Sequence, residues 1–140
     1  MIGVLIVTHY HLADEFLQAL RLIVGECKHF QAIGLDPSSS PEAMRRRIEK
    51  ALREADQGRG VLMLVDMFGG TPSNLCLSFL DERRVEVVTG VNLPMLVKVA
   101  RVDEGMPLNE VAELARDYGR RNISVASDVL AGGERSGGSS

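Results

Sequence analysis

Two short, uninterrupted apolar segments constrain the fold more than any other feature of this chain. The first covers about residues 2–8 and ends at His9, and the second covers residues 61–65 and ends at Asp66. A strand that is apolar at every position, and not only at alternate ones, is typical of a parallel sheet covered by helices on both faces. Because the carboxyl ends of parallel strands meet at one edge of the sheet, we predict that His9 and Asp66 lie side by side.

The rest of the chain alternates between apolar β-rich segments and amphipathic helical segments. This order predicts an α/β fold with right-handed crossovers and a mostly parallel sheet flanked by helices on both faces. Residues 1–127 are expected to form one domain, and residues 128–140 a flexible Gly/Ser-rich tail. The predicted strands are residues 2–8, 30–35, 61–65, 85–89 and 123–126, and the predicted helices are residues 12–25, 41–56, 72–80, a segment from 94, and 108–118.

Composition and charge exclude several classes of function. A net charge of −3 argues against nucleic-acid binding, which requires a basic surface. No apolar segment is long enough to span a bilayer, and the chain enters its first strand without the features of a signal peptide. Cys27 and Cys76 have no CxxC spacing, which indicates a reducing compartment and no metal framework. We therefore expect a cytoplasmic protein without a cofactor or bound metal.

His9 is the leading candidate for chemistry. A neutral imidazole is a good nucleophile near pH 7, and phosphoryl transfer depends mainly on positioning and charge stabilisation. Asp66 is the candidate that orients the ring, because a carboxylate that holds one ring nitrogen presents the lone pair of the other. The alternatives are a loop histidine without a ligand and an aspartate that only caps a turn.

The segment after Asp66 has the composition of an anion-binding turn. Gly69 and Gly70 allow positive φ and a close approach of the backbone to an anion. Thr71 supplies a hydroxyl and is the expected N-cap, with Pro72 at the first helical position. No lysine follows the glycines, so this is not a Walker loop. A third loop, residues 90–94, is expected to converge on the same edge, although an ordinary turn before a helix remains the alternative for Gly69 and Gly70.

The other histidines and the basic run have simpler explanations. His11 lies near His9, but zinc requires three or four ligands and no second cluster is evident. His29 is expected to be a loop residue. The arginines at positions 45–47 lie among glutamates on a predicted helix, which indicates a solvated, ion-paired face.

These segments together resemble the EIIA component of the mannose family of the bacterial phosphoenolpyruvate–sugar phosphotransferase system (PTS). The matching segments are residues 7–9, 64–74 and 90–96. The resemblance implies that His9 receives phosphate from phospho-HPr and passes it to a separate EIIB component, with Asp66 as its hydrogen-bonding partner and Thr71 as the hydroxyl beside the phosphate. It also implies a homodimer completed by an exchanged carboxyl-terminal strand, here about residues 123–127, and an indirect link to the membrane through EIIC and EIID subunits.

Two other roles use the same chemistry. The protein could be a regulatory module whose phosphorylation state signals to a kinase or transcription regulator, or the phosphocarrier subunit of a dihydroxyacetone kinase. The chain also departs from many relatives, since Tyr10 and His11 follow the active histidine and Phe68 stands in the loop where they carry tryptophan. Tyr10 and His11 could alter the choice of partner, and Phe68 is expected to fill the hydrophobic role of the tryptophan.

Overall fold

In the computed structural model, which describes residues 1–82 and 84–132, strands and helices alternate along the chain. The strands are β1 (Gly3–His9), β2 (Phe30–Leu35), β3 (Val61–Val65) and β4 (Val85–Thr89), and the helices are α1 (Leu12–Val24), α2 (Pro41–Ala55), α3 (Thr71–Leu77), α4 (Leu93–Ala100), α5 (Leu108–Arg121) and α6 (Ala126–Gly132). In these two ranges, none of the helices has both the length and the apolar character needed to cross a bilayer.

The four strands form one parallel sheet in the order β2-β1-β3-β4. The predicted fold class is confirmed: the sheet is parallel, and helices cover both faces. The chain moves outward from β1 to β2 and then returns to place β3 on the other side of β1. The strand order therefore reverses between β1 and β3, which is where ligand crevices form in open α/β sheets.

Alternate residues of the central strands belong to two separate cores. One core joins the sheet to α1, α4 and α5, and its residues from β1 and β3 are Val4, Ile6, Leu62 and Leu64. The other joins the sheet to α2 and α3, and its residues from β1 and β3 are Leu5, Val7, Val61, Met63 and Val65. Because both faces are covered, every position of β3 and the first six of β1 are buried, which explains why these segments are apolar throughout.

A close backbone contact fixes the loop that follows β1. Tyr10 has a φ of 49°, and its N–H donates to the carbonyl of Leu35 at 2.9 Å. The carbonyl of Tyr10 lies so near Gly34 that a Cβ at position 34 would overlap it. Glycine at position 34 therefore lets this loop pack down on β2 and sets the direction in which β1 ends.

The hydroxyl of Thr8 ties the end of β1 to the beginning of α1. Its oxygen accepts a hydrogen bond from the N–H of Ala13 at 2.7 Å, and the hydroxyl donates to the carbonyl of His9 at 3.2 Å. Thr8 is fully buried, so both contacts are made away from water. The residues around His9 are consequently held by the strand on one side and by the helix on the other.

The carboxyl-terminal segment differs from the prediction. The strand expected at residues 123–127 is wrong for the single chain, because residues 123–125 have no regular structure and α6 begins at Ala126. A strand obtains its hydrogen bonds from a neighbouring strand, whereas a short helix makes them internally. Residues 128–132 of the expected tail belong to α6, and residues 133–140 lie outside the described residues. The helix expected to reach about residue 80 ends at Leu77 and continues as turns.

Candidate functional site

β1 and β3 separate at the point where the sheet order reverses. Their pairing ends at Val7 and Val65, whereas β1 stays paired with β2 as far as His9. The side chain of Asp66 enters the gap, and its Oδ2 accepts the backbone N–H of His9 at 2.9 Å. A carboxylate therefore takes the place that a carbonyl of β3 would have had in a longer sheet.

The same carboxylate oxygen holds the imidazole of His9. Nδ1 lies 2.8 Å from Oδ2 of Asp66, as the position of the two residues in the sequence predicted. An ionised carboxylate only accepts hydrogen bonds, so Nδ1 carries the proton and Nε2 keeps its lone pair. The His9 side chain is 50% exposed, so the ring is accessible to a partner. The Asp66 side chain that holds the ring is only 12% exposed and is largely shielded from solvent.

Opposing effects set the protonation of Asp66. Burial by itself raises the pKa of this carboxyl group. The hydrogen bonds from the backbone and ring of His9, the charge of that ring when it is protonated, and the N–H of Met67 outweigh burial and hold the pKa below its usual value. Asp66 is therefore ionised at neutral pH, as an orienting carboxylate must be.

The glycine turn after Asp66 brings the beginning of α3 against the free nitrogen. Gly69 and Gly70 have φ values of 87° and 88°, in the region that favours glycine. A Cβ at position 70 would lie 3.2 Å from Nε2 of His9. Thr71 is the first residue of α3 and Gly70 its N-cap, so the helix begins one residue earlier than predicted, because Gly70 supplies the backbone turn that Thr71 was expected to make.

A cleft of about 440 Å³ opens beside His9. Tyr10 and Thr71 line it together with His9, and Met44 and Pro72 contribute apolar surface from α2 and α3. The predicted residues His9, Asp66, Gly70 and Thr71 therefore meet at one place. Gly69 belongs to the same turn, but a Cβ added to it would meet no atom within 4 Å.

The third loop supports the site from behind and does not line the cleft. The N–H of Val91 donates to the carbonyl of Val65 at 3.0 Å, directly before Asp66. Asn92 caps α4 through the N–H of Met95 and donates to the carbonyl of Gly119. Residues 90–94 therefore lie at the predicted edge of the sheet, where their polar groups hold β3, α4 and α5 together.

The remaining polar candidates do not join the site. The His11 ring lies 4.0 Å from the Tyr10 ring on the surface, and His29 precedes β2 at the opposite edge of the sheet. Arg45 pairs with Glu82 at 2.8 Å and stacks on Phe79, so it links α2 to the turns that follow α3. In the part of the chain that the structure describes, no three metal-ligating side chains come together.

Thr8 and Ser73 were missed as candidates. Both are polar, both are fully buried, and both lie within two or three residues of a predicted site residue. The signal was present in the sequence, since Thr8 interrupts an apolar strand and Ser73 falls on the core-facing side of α3. Polar residues at core positions next to a candidate nucleophile therefore merit the same attention as the nucleophile.

Fold and site together define a class of protein. It is an α/β protein whose sheet edge presents an imidazole, oriented by a buried carboxylate, to a cleft beside the start of a helix. A reactive nitrogen in this setting is suited to accept an anionic group such as a phosphoryl group.

Comparison with known proteins identifies the family. The family model EIIA-man, described as "PTS system fructose IIA component", matches residues 3–116, and the chain belongs to this family. It is 32% identical over 126 residues to the mannose-specific EIIAB component of Escherichia coli K12, covering 89% of this chain and 39% of that protein. It is 28% identical to the fructose-specific EIIA component of Bacillus subtilis, covering 93% of this chain and 90% of that protein.

A solved structure supports the same assignment. The mannose/sorbose specific IIA subunit from Enterococcus faecalis superposes with a TM-score of 0.80 at 25% identity, covering 89% of this chain and 93% of that one. The chain spans about two fifths of the length of the E. coli protein. The resemblance inferred from the sequence is therefore confirmed, and family membership supports a phosphocarrier role in a sugar phosphotransferase system.

Proposed function

We propose that this protein carries a phosphoryl group on Nε2 of His9, accepting it from phospho-HPr and passing it to an EIIB component. The observation that carries the proposal is the contact between Nδ1 and Asp66. It fixes the tautomer, so Nε2, which lies beside Gly70 at the start of α3, is the nitrogen with a lone pair. Family membership supplies the PTS context of the partners.

The transfer requires little from the protein beyond placement. The Nε2 lone pair of His9 forms a bond to phosphorus while the bond between phosphorus and the donor atom breaks, and that electron pair returns to the donor. The ring gains positive charge as the new bond forms, and the Asp66 carboxylate at Nδ1 stabilises it. The same sequence in reverse order delivers the group to the acceptor.

Thr71 and the two glycines complete the proposed site. The Thr71 hydroxyl and the free backbone amides at the beginning of α3 are suited to donate to phosphoryl oxygens, because the first N–H groups of a helix have no intrahelical acceptor. Gly69 and Gly70 allow this backbone to approach the phosphoryl group without a side chain in between. These roles depend on His9 being the residue that is phosphorylated.

Incubation with phosphoenolpyruvate, Enzyme I and HPr, followed by intact mass measurement at neutral pH, tests the proposal. We expect the mass of one phosphoryl group on the chain, lost in acid as phosphohistidine is. The phosphoprotein is then offered to an EIIB component and, separately, to the nucleotide-carrying subunit of a dihydroxyacetone kinase. Transfer to EIIB supports the transport role, transfer to the kinase subunit alone replaces it, and no phosphorylation beside a competent control EIIA removes the carrier function.

Asp66→Asn should slow transfer without abolishing it. The amide has the shape of the carboxylate but not its charge, so it holds the ring less selectively and does not stabilise the positive charge that develops. We expect a decrease in the rate of phosphorylation by phospho-HPr of about 10²-fold or more, measured by rapid quench, with His9 still modified at long times. A rate equal to that of the wild type would show that Asp66 does not act in the reaction.

We also propose that two copies form a homodimer through the carboxyl-terminal segment. β4 is an edge strand whose residues are only half-buried, and a cleft of about 410 Å³ runs between it and α5. The following segment leaves Ile123, Val125 and Leu130 exposed, at 73%, 64% and 88%. If the carboxyl-terminal segment of a second copy paired with β4, it would cover the open edge of β4 and also bury its own exposed apolar side chains, as in β-strand addition.

The measurement is light scattering after size-exclusion chromatography. We expect twice the mass of one chain for the wild type and one chain mass for a variant with Ile123→Asp and Val125→Asp, with unchanged phosphorylation of His9. A single-chain mass for the wild type at working concentrations would overturn the dimer and leave the carrier function intact.

A further inference from the structure

Ser73 carries a buried hydroxyl group that makes no hydrogen bond to any residue that the structure describes. Its side chain is fully buried, and its hydroxyl is the one buried side-chain polar atom among the described residues that has no hydrogen-bond partner. Burying a hydroxyl without a partner costs free energy, and alanine would fill almost the same space without that cost. An unpartnered group of this kind calls for an explanation beyond packing.

Ser73 lies on the buried face of α3, the helix that packs against β1 and β3, the two strands that lead to His9 and Asp66. It lies three residues after Gly70, which packs against the His9 ring, and on the same face of α3 as the buried Cys76. Burial, and then the charge of Asp66, raise the pKa of Cys76 to about 12. Ser73 lies one turn nearer to the beginning of α3, between Cys76 and the glycine turn.

Asp66 has an unused acceptor on the oxygen that does not hold the ring. Oδ2 accepts both the backbone N–H and Nδ1 of His9, whereas Oδ1 accepts only the N–H of Met67, at 3.0 Å. A carboxylate has about four lone-pair sites, so one further donor fits. A phosphoryl group on His9 would bring more negative charge close to Asp66, and a donor that stabilises the carboxylate has its greatest value in that state.

We propose that Ser73 is a positioning residue for the phosphorylated form, in which its hydroxyl donates a hydrogen bond to the Asp66 carboxylate. This inference rests on the proposed phosphorylation of His9. In the unphosphorylated form the hydroxyl has no hydrogen-bond partner within the described ranges, which lowers the free energy of unfolding. In the phosphorylated form the bond keeps Asp66 ionised and directed at Nδ1, which preserves the phosphohistidine until an acceptor arrives.

The test compares Ser73→Ala and Ser73→Cys with the wild type. Ser78→Ala is the matched control, because Ser78 lies at the other end of α3 and its hydroxyl donates to the carbonyl of Leu75. Each protein is phosphorylated with phosphoenolpyruvate, Enzyme I and HPr, and the half-life of the phosphohistidine is followed from pH 5 to pH 8. Thermal unfolding of the unphosphorylated proteins is measured in parallel, and the cysteine variant serves if the alanine variant does not fold.

We expect both Ser73 variants to unfold at the wild-type temperature or above it while their phosphohistidine half-lives fall about tenfold, the factor expected for one hydrogen bond to a charged group. Loss of the donor raises the pKa of Asp66, so the acid-labile limb of the pH profile should move to higher pH. Half-lives and pH profiles equal to those of the wild type and Ser78→Ala would overturn the proposal for Ser73 alone. Absence of phosphate on the wild type would instead overturn the carrier function on which it rests.

Discussion

Replacement of His9 by alanine is expected to abolish phosphorylation by phospho-HPr while leaving the fold intact. The ring supplies the free Nε2 that the contact between Nδ1 and Asp66 orients, and this nitrogen is lost with the side chain. The side chain is half-exposed, and Asp66 keeps the backbone N–H groups of His9 and Met67 as donors when the ring is removed. We therefore expect stability to change by no more than about 1 kcal/mol.

Intact mass after incubation with the phosphoryl donor system, together with urea unfolding, measures both effects. His11→Ala is the control, since His11 lies two residues away on the surface and contacts the Tyr10 ring but not Asp66. We expect His11→Ala to take up phosphate as the wild type does. Acid-labile phosphate on the His9→Ala protein would locate the reaction on another residue and remove the proposed mechanism.

Gly70→Ala is expected to stop transfer although it leaves every reactive atom in place. The added Cβ would lie 3.2 Å from Nε2 and 3.3 Å from Cε1 of His9, in the space that the phosphoryl group must enter. The φ of 88° adds backbone strain for any residue with a Cβ, of about 1–3 kcal/mol. A displacement of about 1 Å at a reacting centre costs on the order of 10²-fold, so we expect the transfer rate to fall at least that far.

Gly58→Ala is the control that separates backbone strain at a positive φ from obstruction of the space beside Nε2 of His9. Gly58 has a φ of 94°, it lies in the turn before β3, away from the cleft, and a Cβ there would meet nothing within 4 Å. We expect both variants to lose stability by a similar amount in urea unfolding, and only Gly70→Ala to lose phosphoryl transfer in the rapid-quench assay. Normal transfer by a folded Gly70→Ala protein would mean that the phosphoryl group does not approach His9 from the side of α3.

The pattern of the central strands made much of the fold predictable. β3 was predicted at its observed boundaries, residues 61–65, because a strand buried on both faces requires an apolar residue at every position. The contact between His9 and Asp66 followed from the same reasoning, since both residues directly follow strands that end at one edge. These features depend on local pattern and on a general rule of sheet topology, and both can be read from the sequence.

The errors arose where a residue's partner is distant in the chain. The carboxyl-terminal segment has β-rich residues, but a strand needs a neighbour, and the single chain forms α6 instead. Residues 90–94 lie at the predicted edge, but the sequence did not show that Val91 and Asn92 use their polar groups to hold β3 and α5. Composition indicates that a loop has polar groups available, and only the tertiary contacts determine what they bind.

The sequence by itself determined the parallel α/β fold, the family, and the pairing of an imidazole with a carboxylate, because each follows from local residue patterns and short motifs. Only the tertiary structure decided that Nε2 is the nitrogen left free by Asp66, that Gly70 packs against it, and that Ser73 is buried without a partner. The physical reason is that the two kinds of feature depend on different distances. The pattern of a few neighbouring residues sets burial and backbone direction. A hydrogen bond between residues far apart in the chain forms only when their atoms are placed to within a few tenths of an ångström.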